Sequence, residues 1–344
     1  MRYRAFNRTI AGAIALGLAC AFALPVHAES VADFYKGKNV NLLIGYSAGG
    51  GYDLYARVLA RHIGKHIPGK PSVVPQNMTG AGSLRAANYI YSVAPKDGTA
   101  FGTFARTLPM APLLGGAAQF DGTKFTWLGS MTSDVTLCLS WSNSPIKSWD
   151  DMLTKPSTFG GEGPGSDPDL FALLYKNVFG AKLRLVTGYP GTNEITLAME
   201  RGEVDALCGI SWSTVKARHA QWIKEKKIHI LVQAALAKDP DLPDVPLALD
   251  LTSDPEKLQI LKLILASQVM ARPFAAPPGI PEERKVALIK AFEDTLKDRE
   301  FLAEAAKLNL DVKLVTAKFI DNLLAELYRT PKDVLAKAAQ AIAK

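Results

Sequence analysis

Short apolar runs alternate with amphipathic segments along most of this chain. Each run is followed by a turn that often contains glycine, and then by apolar residues at helical spacing. The predicted strand and helix pairs are 40–45 with 52–66, 72–75 with 83–93, 157–161 with 168–179, 183–186 with 192–201, and 204–209 with 212–226. Such alternation predicts an α/β fold in which crossover helices connect parallel strands.

The pattern changes toward the end of the chain. Four prolines between residues 273 and 281 predict a bend. After Pro281 the apolar residues recur almost only at helical spacing, which predicts a helical C-terminus. Its leucines and phenylalanines are expected to serve packing rather than binding.

The first residues have the order of a secretory signal peptide. Three arginines precede an apolar run at 10–24, and small residues then end at Ala28. The run is about 15 residues long, short of the ~20 that a membrane-spanning helix needs. Residues 17–19 fit a lipid-anchor signal at Cys20 poorly. We therefore expect cleavage after Ala28 and export of a soluble protein to the periplasm.

Length and charge narrow the class of protein further. Removal of 1–28 from 344 residues leaves 316, which favours two domains. The full chain carries a net charge of +7, and the three arginines before residue 29 reduce this to +4 in the mature protein. Its basic residues form no cluster interleaved with aromatics, so no nucleic-acid partner is predicted.

Two cysteines remain in the predicted mature chain, Cys138 and Cys208, and both lie in apolar runs that resemble strands. One interpretation is a pair of buried thiols that act as small apolar side chains. The other is a disulfide, which an oxidising compartment permits. The sequence leaves both open, because the separation of the two Cα atoms decides between them.

Two glycine-rich loops, 45–53 and 77–83, each join a predicted strand to a helix. Glycines allow a ligand to approach the backbone closely, and the following helix presents the positive end of its dipole. Two such loops at one end of a sheet predict an anion cradle. The first loop lacks the Lys-Ser/Thr ending of a phosphate loop and the dinucleotide fingerprint, so a carboxylate is favoured over a nucleotide.

The order and spacing of several short motifs resemble the Bug family, the periplasmic receptors of tripartite tricarboxylate transporters. The similar segments are 45–53, 77–83, 94–99, 101–103, 163–166, 188–191, 202–205, 242–246 and 275–281. They extend over essentially the whole predicted mature chain. No single segment is decisive, whereas their order is.

The resemblance implies a two-lobed, type II-like periplasmic-binding-protein fold with two parallel-rich sheets. It implies a first lobe of 29–130 plus 263–344 and a second lobe of 131–262, with hinges near Ser130 and Leu263. It also implies a small organic carboxylate ligand, inner-membrane transporter subunits as partners, a monomer, no cofactor, no metal and no catalytic residue. The implied ligand-binding positions are Ser47, Gly49, Gly50, Gly51, Asp53, Ala81, Gly82, Ser83, Ser166, Tyr189 and Thr192.

Three charged residues near the predicted site are candidates for binding or for local structure. Arg106 follows a predicted strand end and is either a fork for a ligand carboxylate or a solvated arginine at a helix start. Asp169 lies three residues after Ser166, with Pro168 between them, a spacing typical of a helix start. Glu162 is a candidate partner for an amine or hydroxyl at the far end of the ligand.

Other functions have weaker support. Residues 45–49 fit the nucleophile elbow of a serine hydrolase with Ser47 as nucleophile, but too few residues precede the strand to build its oxyanion loop. His62 and His66 share a helical spacing without the glutamate of a zinc motif. A receptor that presents its ligand to a signalling partner would use the same cleft, and the sequence does not separate it from a transport receptor.

Overall fold

The structure is a computed structural model that describes residues 29–344, and the predicted signal peptide with Cys20 lies outside the described residues. The strands are β1 (Asn39–Ile44), β2 (Ser72–Asn77), β3 (Ala100–Thr103), β4 (Thr126–Ser130), β5 (Thr136–Trp141), β6 (Ser157–Gly160), β7 (Leu183–Val186), β8 (Ala206–Ser211), β9 (Ile228–Ala234), β10 (Pro273–Ala276) and β11 (Val315–Thr316). The helices are α1 (Val31–Tyr35), α2 (Gly51–Ile63), α3 (Leu84–Ser92), α4 (Trp149–Thr154), α5 (Asp167–Phe179), α6 (Thr192–Glu200), α7 (Trp212–Arg218), α8 (Ala220–Lys224), α9 (Pro255–Leu265), α10 (Glu282–Thr295), α11 (Arg299–Lys307), α12 (Ala317–Leu327) and α13 (Lys332–Ala341). None of the helices between residues 29 and 344 has the length and apolar character needed to span a bilayer.

The strands form two mixed sheets. The first has the order β11-β4-β10-β3-β1-β2, and the second has the order β7-β6-β8-β5-β9. In the first sheet, β1 pairs in parallel with β2 and β3, whereas β10 and β11 pair antiparallel with their neighbours. In the second, β6 pairs in parallel with β7 and β8, and β5 pairs antiparallel with β8 and β9. The predicted α/β fold with two sheets and a helical C-terminus is confirmed, although about half of the pairings are antiparallel.

Local sequence explains how the elements begin and end. The apolar stretch 42–44 of β1 is buried, as expected for a strand with helices on both faces. At the start of α5, Ser166 Oγ accepts a hydrogen bond from the amide of Asp169, and Pro168 occupies the first turn. The helix ends at Gly180, which has a φ of 77°. The predicted helix start at 166–169 is therefore confirmed.

The chain passes twice between the sheets. It leaves the first sheet at Ser130, where β4 ends, and enters the second with β5. It returns after β9 through α9 and a 3₁₀ turn, Ala266–Met270, before β10 begins at Pro273. Leu263 lies within α9, and the last helix, α13, packs against α9 and α5. Through its contact with α5, α13 joins the C-terminus to a helix that follows β6 of the second sheet. The predicted lobe boundaries stay a prediction.

Apolar packing and one covalent bond hold these elements together. The largest buried cluster includes Trp127 of β4 in the first sheet and Phe159 of β6 in the second. Cys138 of β5 lies opposite Cys208 of β8 in the strand register, and the two form a disulfide. Of the two interpretations that the sequence left open, the structure has the disulfide.

Candidate functional site

The first glycine loop follows β1 and leads into α2. The amide of Gly45 donates to the carbonyl of Thr103 at 3.0 Å, which ties the loop to the end of β3. A side chain at Gly45 would overlap Ser83 of the second loop. Because β1 pairs in parallel with β2 and β3, the two glycine loops meet at one end of the sheet, as their position in the sequence predicts.

Asp53 shapes this loop from within. Its carboxylate accepts from the amide of Gly49 at 3.0 Å, from Asn77 Nδ2 at 2.8 Å and from Arg57 Nε at 2.9 Å. Asn77 also donates to the carbonyl of Tyr46. Burial raises the pKa of Asp53, but these hydrogen bonds more than offset it and hold the pKa below its usual range. The carboxylate of this predicted binding residue is thus engaged in fixing the loop.

The helix that follows begins within this loop. Gly50 is the N-cap of α2, with φ of −77° and ψ of 174°, and Gly51 is the first helical residue. The first amides of a helix have no acceptor within the helix and lie at the positive end of its dipole. A side chain on Gly51 would overlap Thr214 Oγ1, so only glycine permits this close contact with α7. This is the arrangement in which backbone amides bind an anion.

The second loop is a left-handed turn. Gly80, Ala81, Gly82 and Ser83 have φ values of 134°, 48°, 58° and 69°. Two of these residues carry side chains, for which positive φ is unfavourable by about 1 to 3 kcal/mol each and is typical of functional sites. Ser83 is held by a hydrogen bond that its Oγ accepts from the amide of Ala105 at 2.8 Å.

Segments that follow the second sheet's strands close over both loops. A Cβ on Gly82 would lie 2.7 Å from Ser166 Cβ and 3.0 Å from the carbonyl oxygen of Gly163. Ser47 Oγ donates to Glu194 Oε2 at 2.7 Å. Thr107 Oγ1, beyond β3, donates to the carbonyl of Gly165 at 2.5 Å. Of the predicted residues, Gly82 and Ser166 therefore lie in contact across the two halves of the chain, and their role in binding stays a prediction.

The remaining predicted residues from the second half differ in position. Thr192 Oγ1 donates to Glu162 Oε1 at 2.8 Å, which places it beside the predicted polar partner of the ligand. The half-buried ring of Tyr189 packs against the apolar cluster of the second sheet. Asp169 accepts from the amide of Gly163 at 2.9 Å and from Thr187 Oγ1 at 2.6 Å, so it fixes the loop before α5.

Arg106 lies in the interior and is only 1% exposed. Its Nε lies 2.8 Å from Asp167 Oδ2, an ion pair without the alignment of a hydrogen bond. Nη1 donates to Gln268 Oε1 at 3.0 Å and Nη2 to Ser211 Oγ at 2.7 Å. Burial by itself would lower the pKa of Arg106. The nearby carboxylate of Asp167 more than offsets this effect, so the pKa of Arg106 lies above its ordinary value. The interpretation as a solvated arginine is wrong; contact with a ligand stays a prediction.

A second buried arginine, Arg272, was not identified from the sequence. Its Nη1 donates to Ser211 Oγ at 3.0 Å, and its Nη2 donates to Thr214 Oγ1 at 2.9 Å. Asp134 Oδ2 lies 4.0 Å from Nη2, and the ring of Tyr52 lies 4.8 Å from the guanidinium carbon. The signal in the sequence is an isolated arginine in the otherwise apolar stretch 269–276, but its partners are distant along the chain.

Three further residues near the first loop were also missed. A Cβ on Gly49 would lie 3.6 Å from Arg218 Nη2 and 3.8 Å from Asn193 Cγ. Glu194 accepts from Ser47, as described above. All three belong to α6 or α7, whose residues reach the loop only because the two sheets face each other.

Glu162 is buried, with 4% of its surface exposed. The pKa of Glu162 is raised to about 8, mainly by burial. The hydrogen bond from Thr192 lowers the pKa, whereas the negative charges of Asp167, Asp169 and Glu194 raise it. The carboxyl group is therefore largely protonated near neutral pH and can act as a hydrogen-bond donor or acceptor.

Replacement of Glu162 by glutamine is expected to change how stability depends on pH. A raised folded-state pKa contributes stability that is complete below the ordinary value of 4.5 and is lost as the pH rises through about 8. Glutamine does not titrate, so we expect Glu162→Gln to gain about 4 kcal/mol over the unsubstituted protein between pH 5 and pH 9, at about 1.4 kcal/mol for each pH unit between 5 and 8. Urea unfolding at pH 5, 7 and 9 measures this. If the free energies of unfolding of the variant and the unsubstituted protein differed by the same amount at all three pH values, the raised pKa of Glu162 would be contradicted.

A separate cavity of about 310 Å³ lies beside this site. Its lining is mostly apolar and comes from the segment after β3, from α5 and from the C-terminal residues. The residues with the largest side chains in the lining are Leu114, Asp169, Leu170, Leu173, Ile342 and Lys344. Asp169 contributes to this lining, and its carboxylate is bound to Gly163 and Thr187.

The two histidines with helical spacing contact acidic residues. His62 Nε2 lies 2.6 Å from Glu304 Oε2, and His66 Nε2 lies 3.2 Å from Asp298 Oδ2. His62, Asp298 and Glu300 together could in principle ligate a metal. Lys65 Nζ, however, lies 3.0 Å from Asp298 and 2.6 Å from Glu300. The lysine ammonium already neutralises these carboxylates, which disfavours a second cation there.

Comparisons with known proteins agree with this architecture. No family model matches the chain. An Agrobacterium vitis protein described as the UPF0065 protein in the TAR-I ttuE-ttuC' intergenic region is 27% identical over 283 residues, covering 78% of this chain and 75% of the relative. A Cupriavidus necator protein described as the UPF0065 protein in the gbd 5' region is 24% identical over 354 residues, covering 97% and 96%.

Several solved structures share the fold. The periplasmic binding protein BugD matches with a TM-score of 0.72 and 19% identity, covering 88% of this chain and 98% of that one. MatC from Rhodopseudomonas palustris with bound malate matches with 0.69 and 22%, covering 87% and 99%. Another R. palustris protein, with adipate, matches with 0.67 and 18%, covering 88% and 97%. The periplasmic-binding-protein fold and the resemblance to the Bug family are confirmed.

Proposed function

We propose that this chain is a periplasmic solute-binding receptor that holds a small organic carboxylate between two lobes. One observation carries the proposal. Two glycine loops meet at the end of one sheet, and the loops at 163–166 and 191–194 of the other sheet lie against them. Backbone amides at the start of α2 then face a site enclosed from both sides, which suits a carboxylate. The malate and adipate of the similar structures support this ligand class.

The proposal extends to export and delivery. Residues 1–28 serve as a cleaved signal peptide, and the mature protein acts in the periplasm as a monomer. It hands its ligand to inner-membrane subunits of a tripartite tricarboxylate-type transporter. The lobes, 29–130 plus 263–344 and 131–262, close over the ligand as rigid bodies about the two crossings, and the closed face is what a membrane partner contacts. A receptor for a signalling partner would use the same cleft.

The proposed role is binding rather than catalysis. In the nucleophile-elbow hypothesis, the hydroxyl of Ser47 needs a histidine as general base. Its hydrogen bond in the described part of the chain goes to Glu194. The ring of His219 stacks on Trp222 at 3.8 Å between centroids, and burial lowers its pKa to about 4. These contacts support the assignment of Ser47 to a ligand-binding loop.

Native mass spectrometry tests this function. Protein purified from its own periplasm without unfolding is expected to carry one small organic acid per chain. After unfolding and refolding in buffer the added mass is expected to disappear, and it should return when the identified acid is added. A refolded protein to which no acid from a broad carboxylate panel binds would contradict the proposed function.

A further inference from the structure

Every nitrogen of the Arg106 guanidinium faces a group of the protein itself. Asp167, Gln268 and Ser211 lie at 2.8, 3.0 and 2.7 Å from its three nitrogens. Asp167 and Ser211 come from the segments around the second sheet, whereas Arg106 follows β3 of the first. Because guanidinium and carboxylate are both nearly fully buried, neither can turn to solvent without breaking this pair.

The other buried guanidinium in this region also lies near an acid, although its Nε has no hydrogen-bond partner among the described residues. Arg272 shares Ser211 with Arg106 and lies 4.0 Å from Asp134. Burial raises the pKa of Asp134 above its ordinary value, although the positive charge of Arg272 acts to lower it. Two positive and two negative groups therefore balance one another at this contact between the two halves of the chain.

Acidic side chains surround the same region. Glu162 lies close enough to Asp167, Asp169 and Glu194 for their charges to act on it. Glu194 in turn accepts from Ser47 of the first glycine loop. A ligand carboxylate bound at the start of α2 has backbone amides as partners, but a second carboxylate near Glu162 would meet the negative charges of Asp169 and Glu194. Like charges at such short range disfavour binding.

We propose that Asp167 is a specificity-determining residue: by holding Arg106, it withholds the guanidinium from the ligand and restricts the cleft to acids with one carboxylate. This inference rests on the proposed function and names the substrate class within it. A monocarboxylate places its single charge at the glycine loops and an uncharged or hydroxyl-bearing remainder near Glu162. A dicarboxylate of the same length would meet an Arg106 guanidinium that Asp167, Gln268 and Ser211 already engage.

Titration calorimetry with matched acids tests the proposal. Hexanoate with adipate, and butyrate with succinate, differ within each pair by one terminal carboxylate. The unsubstituted protein is expected to bind the monocarboxylate of a pair at least about tenfold more tightly. Asp167→Asn frees Arg106 and is expected to tighten dicarboxylate binding by about tenfold or more. Asp244→Asn removes the same charge from an exposed loop and serves as the matched control. This control is expected to prefer the monocarboxylate as strongly as the unsubstituted protein does.

The outcomes separate the two proposals. If the unsubstituted protein binds adipate or succinate more tightly than its monocarboxylate partner, the inference is wrong while the proposed function stands. The same holds if Asp167→Asn folds and its preference equals that of Asp244→Asn. If Asp167→Asn does not fold, the preference of the unsubstituted protein decides. If no carboxylate of any kind binds, the proposed function fails and the inference with it.

Discussion

Replacement of Arg106 by alanine is expected to lower the free energy of unfolding by about 3 to 5 kcal/mol, the usual cost of removing one partner of a buried ion pair. The carboxylate of Asp167 would be left in the interior without its positive partner, 2.8 Å away in the intact protein. Gln268 and Ser211 would each lose a donor as well. Urea unfolding at pH 7 measures the effect.

Two controls separate burial from charge. Arg61 pairs with Glu304, but 49% of its side chain is exposed, so Arg61→Ala is expected to cost at most about 1 kcal/mol. The double variant Arg106→Met with Asp167→Leu removes both charges together and is expected to recover most of the loss. A loss for Arg106→Ala no larger than for Arg61→Ala would show that the Arg106 pair does not stabilise this fold.

Removal of the disulfide has an expected effect of similar size. Cys138 and Cys208 are separated by 70 residues, a loop for which the chain-entropy model gives ~4 kcal/mol of stabilisation. The bond joins adjacent strands that also pair through backbone hydrogen bonds, so the realised loss is expected to be about 2 to 4 kcal/mol. Unfolding of the double variant Cys138→Ala with Cys208→Ala measures it.

A thiol titration checks the bond itself. Protein that begins at residue 29 contains two cysteines, and its unfolded, unreduced form is expected to show no reactive thiol. The single variant Cys138→Ala should show one thiol and lose about as much stability as the double variant. Two reactive thiols in the unsubstituted protein would refute the disulfide.

The fold was predictable where the signal is local. The run at 40–45, its glycine turn and the following helical spacing correspond closely to β1 and α2, because burial and turn chemistry act over a few residues. The direction of pairing was not predictable in this way. β5 contains buried apolar residues as β1 does, yet β5 pairs antiparallel with β8 and β9 whereas β1 pairs in parallel with its neighbours. The side-chain pattern of a buried strand does not record which neighbour it will have.

The same distinction applies to the site. The glycine loops were recognisable because positive φ and close backbone approach require particular residues, as at Gly82. The surroundings of Arg106 were not, because Asp167, Gln268 and Ser211 are brought to it only by the packing of two sheets. Arg272 shows the limit most clearly, because its hydroxyl partners and its acidic neighbour all come from other elements.

Gly50 offers the most direct test of the claim that a carboxylate binds at the start of α2. Its φ of −77° is accessible to any residue, and a Cβ there would have its nearest neighbour, the carbonyl oxygen of Ser47, at 4.0 Å. Aspartate and asparagine are both favourable N-caps, so both variants are expected to fold. The aspartate and asparagine side chains have nearly the same size and differ by one negative charge.

The deciding measurement is calorimetric titration of the Gly50→Asn and Gly50→Asp variants with the acid that mass spectrometry identifies. Gly50→Asn is expected to keep its affinity within about fivefold of the unsubstituted protein. Gly50→Asp is expected to weaken binding by about 100-fold or more, because two like charges would meet at the helix start. Equal affinity of the two variants would place the ligand's carboxylate elsewhere and contradict the account.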